Sequence, residues 1–441
     1  MTRSALVACF AALALACSGA GARREALVRA AIPGGGSAPL TPAEARRVAQ
    51  MAASPMAFYR ATIELQRRDW EDASTGLART RFPLASLRAY GVGDAHVENF
   101  GTLLGRDGRV TLEVDDLDAA GPVAPLWDLR RLVVSLCLAA RAAGLPAAAW
   151  RDVVRDASLA YAAALTGAEA DASAPLLDDL LRRAARDAAA RDELRELTVV
   201  GPEGRRLRRG LVDDVRLDDV SSEALRELPA LVARYRETLT SPPEPGVFTV
   251  LDAARSLGRG GATQGRGRLL LLLRGAGDGP DDDVIVEAKA LDGAAETEVA
   301  RVLGARAALW TRPDADPYWG AAAWGRCPVQ LRAETAAAKG VRVSRMRGAF
   351  AAPEAMRALG RALGGRLGAI HRRTLAGARE ALDAVAADPG GFADEQAAAA
   401  LRYADQVVDD HARFRGLAAG AGEGAGAARR GDARCPRFEA P

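Results

Sequence analysis

GVGDAHVENFG, residues 91–101, is the stretch on which the reading of the whole chain turns. It carries Asp94, His96 and Asn99 in the order D-x-H-x-x-N, with the polar residues held between Val92 and Phe100, so it reads as a tight loop between two buried segments. After the turn Gly105-Arg106-Asp107-Gly108 comes an apolar strand, Val110–Val114, which runs into Asp115-Asp116-Leu117-Asp118. A base-like acid, an amide soon after it and a hairpin ending in acids form a phosphoryl-transfer layout. In that layout Asp94 takes the proton from an incoming hydroxyl and His96 steadies the loop. Asn99 and Asp116, with Asp118 beside them, bind the Mg2+ that bridges phosphates.

Composition sets this loop apart. Asn99 is the only asparagine among 441 residues, histidine occurs three times (His96, His371 and His411), and the only lysines are Lys289 and Lys339. Where arginine serves nearly every cationic position, a surviving lysine or asparagine points to its particular chemistry. The net charge of +3 leaves no basic footprint for nucleic acid, and 5% aromatic residues offer no stacking platform for single strands. HExxH, GxSxG and paired CxxC are absent, which removes zinc peptidase, serine hydrolase and zinc-ribbon readings.

Residues 1–22 read as an export signal: Arg3, then the apolar run Ala5–Ala16, too short to span a bilayer, then Ala14-Leu15-Ala16 before Cys17. Lipidation at Cys17 would make the chain a membrane-anchored lipoprotein and cleavage would make it periplasmic; a signal that is not used would leave it cytoplasmic. Cys137, within LVVSLCLAA, reads as a small buried hydrophobe. Cys327 and Cys435 can pair in an oxidising compartment, but five cysteines make no disulfide framework.

Outward from the loop, 23–40 reads as a flexible tether and 41–240 as a mainly helical large lobe carrying the loop and the acids. The helices expected there are capped by Thr41, opened by Ser54-Pro55, and started at Trp127-Asp128-Leu129; Asp128 reads as a cap that steadies the loop. Residues 145–240 read as mostly helical. After the break Ser241–Gly246 the pattern changes, and 247–350 reads as a small sheet lobe. Strands are expected at Phe248–Ala254, Leu269–Leu273 and Val284–Ala290, with two more in 326–346. Gly258, Gly260 and Gly261 form a glycine-rich turn, with Arg266 or Arg268 set to meet phosphate, and Lys289 stands on an apolar strand where it can reach the α- and β-phosphates. A helix at Ala295–Trp310 offers Glu296 or Glu298 to orient that lysine. The segment 351–416 supplies closing helices, with His371 and His411 as satisfied interior histidines, and 417–441 reads as a disordered tail.

The motifs SPMAFYR (54–60), GDAHVENFG (93–101), Asp116-Leu117-Asp118, Trp127-Asp128-Leu129, VEAK (286–289) and YADQ…DH (403–411) resemble a bacterial family catalogued as domain of unknown function 2252, over roughly residues 45–415. More distantly, the D-x-H-x-x-N loop and its hairpin acid resemble aminoglycoside phosphotransferases and choline kinases, which share the protein-kinase fold. That likeness implies an α+β, two-lobe fold using ATP, or another nucleotide, with Mg2+ and an unknown acceptor, a small molecule by analogy. In those enzymes the glycine-rich lobe precedes the catalytic loop; here it follows, so the resemblance implies a circular permutation. Two other readings stand beside it: a non-catalytic kinase-like binding module exported as a lipoprotein, and a hydrolytic or metal-storage role for Asp115, Asp116 and Asp118.

Overall fold

Thr41 opens a helix in the way Pro42 and Glu44 require. Its hydroxyl accepts from the Glu44 N–H, and the Glu44 carboxylate reaches back to the Thr41 N–H at 2.8 Å, closing a capping box. The computed structural model describes residues 21–438 other than 37–38, 170–172, 191, 203, 213–214, 244–247, 258–266, 278, 376 and 421–437. Residues 21–29 form α1, so the first part of the stretch read as a flexible tether is helical; REALVRA is a run of good helix formers. The capped helix is α2 (Pro42–Ala52). It is followed by α3 (Pro55–Ala61), capped by Ser54, and α4 (Ile63–Glu71), the two separated at Thr62, whose φ of −118° and ψ of 42° leave the helical region.

β1 (Ala89–Gly91) leads into the loop. β2 (Phe100–Leu104) and β3 (Val110–Val114) form the expected hairpin, and β4 (Gly121–Val123) returns to pair with β1. The helix α5 (Pro125–Ala142) is buried without a break from Pro125 to Ala140. α6 (Ala147–Thr166), α7 (Pro175–Ala190) and α8 (Asp192–Leu197) follow. The region read as mostly helical then turns to strands: β5 (Thr198–Gly201), β6 (Gly204–Leu207), β7 (Gly210–Val212) and β8 (Val215–Asp219), before α9 (Ser222–Glu237).

The sheet lobe contains β9 (Val250–Leu257), β10 (Arg268–Leu273), β11 (Val284–Ala290), α10 (Ala295–Leu309), β12 (Gly320–Trp324) and β13 (Cys327–Ala333). β13 lies within the expected 326–346 and β12 just ahead of it, and 334–346 carries only an isolated bridge at Gly340. Seven strands form one antiparallel sheet in the order β12-β13-β11-β10-β9-β8-β7. One face packs Leu269, Leu271, Val286 and Val329 against Leu228, Leu231 and Tyr235 of α9. The other packs Leu270, Leu272 and Ile285 against Leu194, Leu197 and Leu207. Phe438, in the stretch read as a disordered tail, is buried against Trp324 and Gly267.

The closing helices are α11 (Pro353–Thr374), α12 (Arg379–Ala387) and α13 (Pro389–Ala418). Gly360, Gly364 and Gly368 put a side-chain-free stripe on α11 against α6. A Cβ on Gly364 would lie 2.1 Å from the Ala157 carbonyl oxygen, and one on Gly368 would lie 2.4 Å from that of Tyr161, so only glycine allows this approach. The chain divides into two compact units: Met1–Ala78 with Arg402–Asp432, and Arg79–Leu401 with Ala433–Pro441. Among the described residues no helix is long and apolar enough to cross a membrane. Cys137 is buried and free, and Cys327 is disulfide-bonded to a partner outside the described residues. The architecture is α+β, as expected.

Candidate active site

The loop after β1 is shaped by what surrounds it. Gly93 adopts φ 75°, and a Cβ there would meet the Ala119 carbonyl oxygen at 1.9 Å, so glycine is required twice over. Asp128, fully buried in the first turn of α5, accepts from the Val92 and Gly93 N–H groups at 2.6 and 2.8 Å. It steadies the loop as expected, though the helix cap itself is Ala124. His371 Nε2 lies 3.2 Å from Asp128, and Tyr161 OH lies 2.8 Å from His371 Nδ1, so α11 and α6 brace the same carboxylate. Ser135 Oγ accepts from the Val97 N–H, and Trp127 Nε1 donates to the Gly93 carbonyl.

Asn99 ties the loop to the acids beyond the hairpin. Its Oδ1 accepts from the Asp116 N–H at 2.7 Å, and its Nδ2 donates to the carbonyls of Asp94 and Asp116 at 3.0 and 3.1 Å. Asp94 faces Arg131 of α5, with Nε 2.7 Å from Oδ1, and His96 Nε2 lies 3.8 Å from its Oδ2. Burial alone would raise the Asp94 carboxyl. The Arg131 guanidinium, followed by His96, outweighs burial and holds it below the usual carboxylate range.

Lys289, on β11, meets these acids from a distant part of the sequence. Its Nζ is 2.7 Å from Asp118 Oδ1 and 3.5 Å from Asp116 Oδ1. Burial would lower the lysine pKa, but the two carboxylates raise it above the ordinary value. Strand register sets Lys289 between Arg268 and Gln330, with Glu287 opposite Arg332. Arg268 pairs with Glu287, and Arg332 Nη2 pairs with Asp115 at 2.9 Å, so cations and carboxylates alternate across this face of the sheet. Asp116 and Asp118 take the place of the expected helix acid on Lys289, and Glu298 is turned to Arg301, whose Nη1 donates to the Leu117 and Ala120 carbonyls.

Asp94, His96, Asn99, Asp116, Asp118 and Lys289 are therefore brought together. Gly258, Gly260, Gly261 and Arg266, together with residues 1–20 of the stretch read as an export signal, Cys17 among them, lie outside the described residues. Sequence reasoning passed over Arg131 and Arg332. The signal for Arg131 was present, because Arg130 and Arg131 interrupt an otherwise apolar helix. Among the described residues no three His, Cys, Asp or Glu side chains gather as a metal centre. Two carboxylates and an amide oxygen that retains a lone pair nonetheless suit Mg2+, a hard ion that keeps water and phosphate oxygens as its other ligands. A cavity of about 560 Å3 borders Leu103–Arg106, Phe248, Asp316–Tyr318 and Arg332–Thr335. It shares Arg332 with this cluster but none of the six gathered residues.

The chain belongs to the family described as an uncharacterized protein conserved in bacteria (DUF2252), whose model matches residues 42–417. Neither the curated proteins nor the solved structures yield a match.

Proposed function

We propose that the chain is an ATP- and Mg2+-dependent phosphotransferase with a circularly permuted kinase-like fold, acting on a hydroxyl of a small molecule. The observation that carries this reading is the meeting of Lys289 with Asp116 and Asp118, while Asn99 grips the Asp116 backbone. A lysine on β11, the last strand of the meander β7–β11, followed by a helix and two further strands, supports the sheet lobe's role as a nucleotide cover. Asp94 orients the acceptor hydroxyl and takes its proton, and His96 holds Asp94. Asp116, Asp118 and Asn99 would hold Mg2+, which neutralises charge on the phosphates when bound. Lys289 exchanges its carboxylate partners for phosphate oxygens. The Asp94–Arg131 pair favours a second reading, a nucleotide-binding module without turnover, because a carboxylate held low is a weak base.

The protein should gain thermal stability with Mg-ATP, and Asn99→Ala, Asp116→Ala and Lys289→Met should each abolish the gain. A melting curve indifferent to every nucleotide would remove both readings. Binding without release of ADP in the presence of any hydroxyl acceptor would select the second.

A further inference from the structure

The motif YADQVVDDH (403–411) takes no part in the phosphotransfer reading, yet it builds a second polar site, within the unit made of residues 1–78 and 402–432. Asp69 of α4 and Asp410 of α13 are 3% and 1% exposed. Neighbours set both carboxylates in place. Tyr403 OH donates to Asp69 Oδ2 at 2.7 Å, and Gln406 Nε2 and Arg413 Nη1 donate to Asp410 Oδ1 at 2.9 and 3.3 Å.

The Arg24 guanidinium lies between them. Its Nε is 2.9 Å from Asp410 Oδ1 and its Nη2 is 2.8 Å from Asp69 Oδ2, while Nη1 also meets Asp69 and Nη2 also meets Asp410. A planar, forked cation meets all four oxygens of the two buried carboxylates, which an ammonium point charge cannot do. Burial would lower the Arg24 pKa, but hydrogen bonds to Asp410 and Asp69 hold it above its ordinary value. The cation comes from α1, which precedes the family region at 42–417, whereas every group of the receptor lies inside that region.

We propose that Asp69, Tyr403 and Asp410 form a guanidinium-recognition site for an arginine side chain on a polypeptide, and that Arg24 occupies it in cis as a releasable plug. An arginine on another segment competes with Arg24, and its binding displaces residues 21–29.

The test uses the full chain and a labelled peptide of residues 21–32. The Arg24→Ala chain should bind the peptide at least about tenfold more tightly than the wild type, whose site is filled, as expected for charge-assisted hydrogen bonds. Adding Asp410→Asn to the Arg24→Ala chain should abolish binding, and a peptide carrying Arg24→Lys should not bind. Equal binding by wild type and Arg24→Ala, binding by neither, or acceptance of the lysine peptide would overturn the proposal and leave a structural ion pair only. If Arg24→Ala does not fold, the wild type decides: excess arginine amide should speed amide hydrogen exchange in residues 21–29 and lysine amide should not. Identical exchange with the two amides overturns the proposal.

Discussion

Arg131 has no exposed surface, and its guanidinium meets Asp94 at 2.7 Å. Asp94 keeps 22% of its side chain exposed, so removing its partner costs less than the ~3–5 kcal/mol of a fully buried pair. Arg131→Met should therefore lower the urea midpoint at neutral pH. The Asp94 carboxyl is held low in the fold, so its contribution is present above the unfolded carboxylate pKa and is lost as pH falls through the folded value. The variant's deficit should accordingly shrink in acid, and a deficit constant from pH 7 to pH 3 would rule out the pair as its cause. Asp94, Asn99, Asp116 and Lys289 were legible because each is rare or stands in a spaced motif. Arg131 stood out as a charge in an apolar helix, but its role was not legible, since that depends on which loop the helix faces.

Helices α6 and α11 approach so closely that backbone touches backbone. Gly364→Ala should cost about 1–3 kcal/mol or more, because the new Cβ would meet the Ala157 carbonyl with no flexible side chain to move aside. Gly416→Ala on α13 meets nothing within 4 Å and should be neutral or stabilising by about 0.5–1 kcal/mol. Thermal melts of the two variants compare close packing with helix propensity directly; equal melting temperatures would refute the assignment. At this scale the sequence was readable wherever pattern and propensity agreed. Val284–Ala290 was read at its full length, because it opens on three consecutive β-branched residues in an apolar run. β6 to β8 were missed because GPEGRRLRRGLVDDVRLDD (201–219) is rich in arginine and aspartate, which hides the strand pattern, and β5 because its TVVG is only four residues long. Their strand character comes from pairing: β8 lies beside β9 with Asp218 opposite Arg255.

Across the whole molecule, acid response joins opposing groups. Asp316 is 5% exposed, and burial raises its carboxyl to about 6 even though it accepts from the Tyr318 N–H. A raised acid contributes stability that is full below the unfolded pKa, near 3.8, and is lost as pH rises through about 6. The loss amounts to about 3 kcal/mol at most. Asp316→Asn should be more stable than the wild type at pH 7 and lose that advantage by pH 4, as read from denaturant midpoints. A variant less stable at both pH values would refute the burial argument.

The bond between Lys289 and Asp116 spans 173 positions. At ribosomal speeds of about 5–20 residues per second, the acids at 116 and 118 emerge roughly ten to thirty-five seconds before their lysine is made. During that interval the nascent chain carries Asp116 and Asp118 without their lysine, and His371, which braces the loop through Asp128, is made later still. Newly made protein thus passes through a stage with the acids present and the lysine absent, a stage open to any soluble cation.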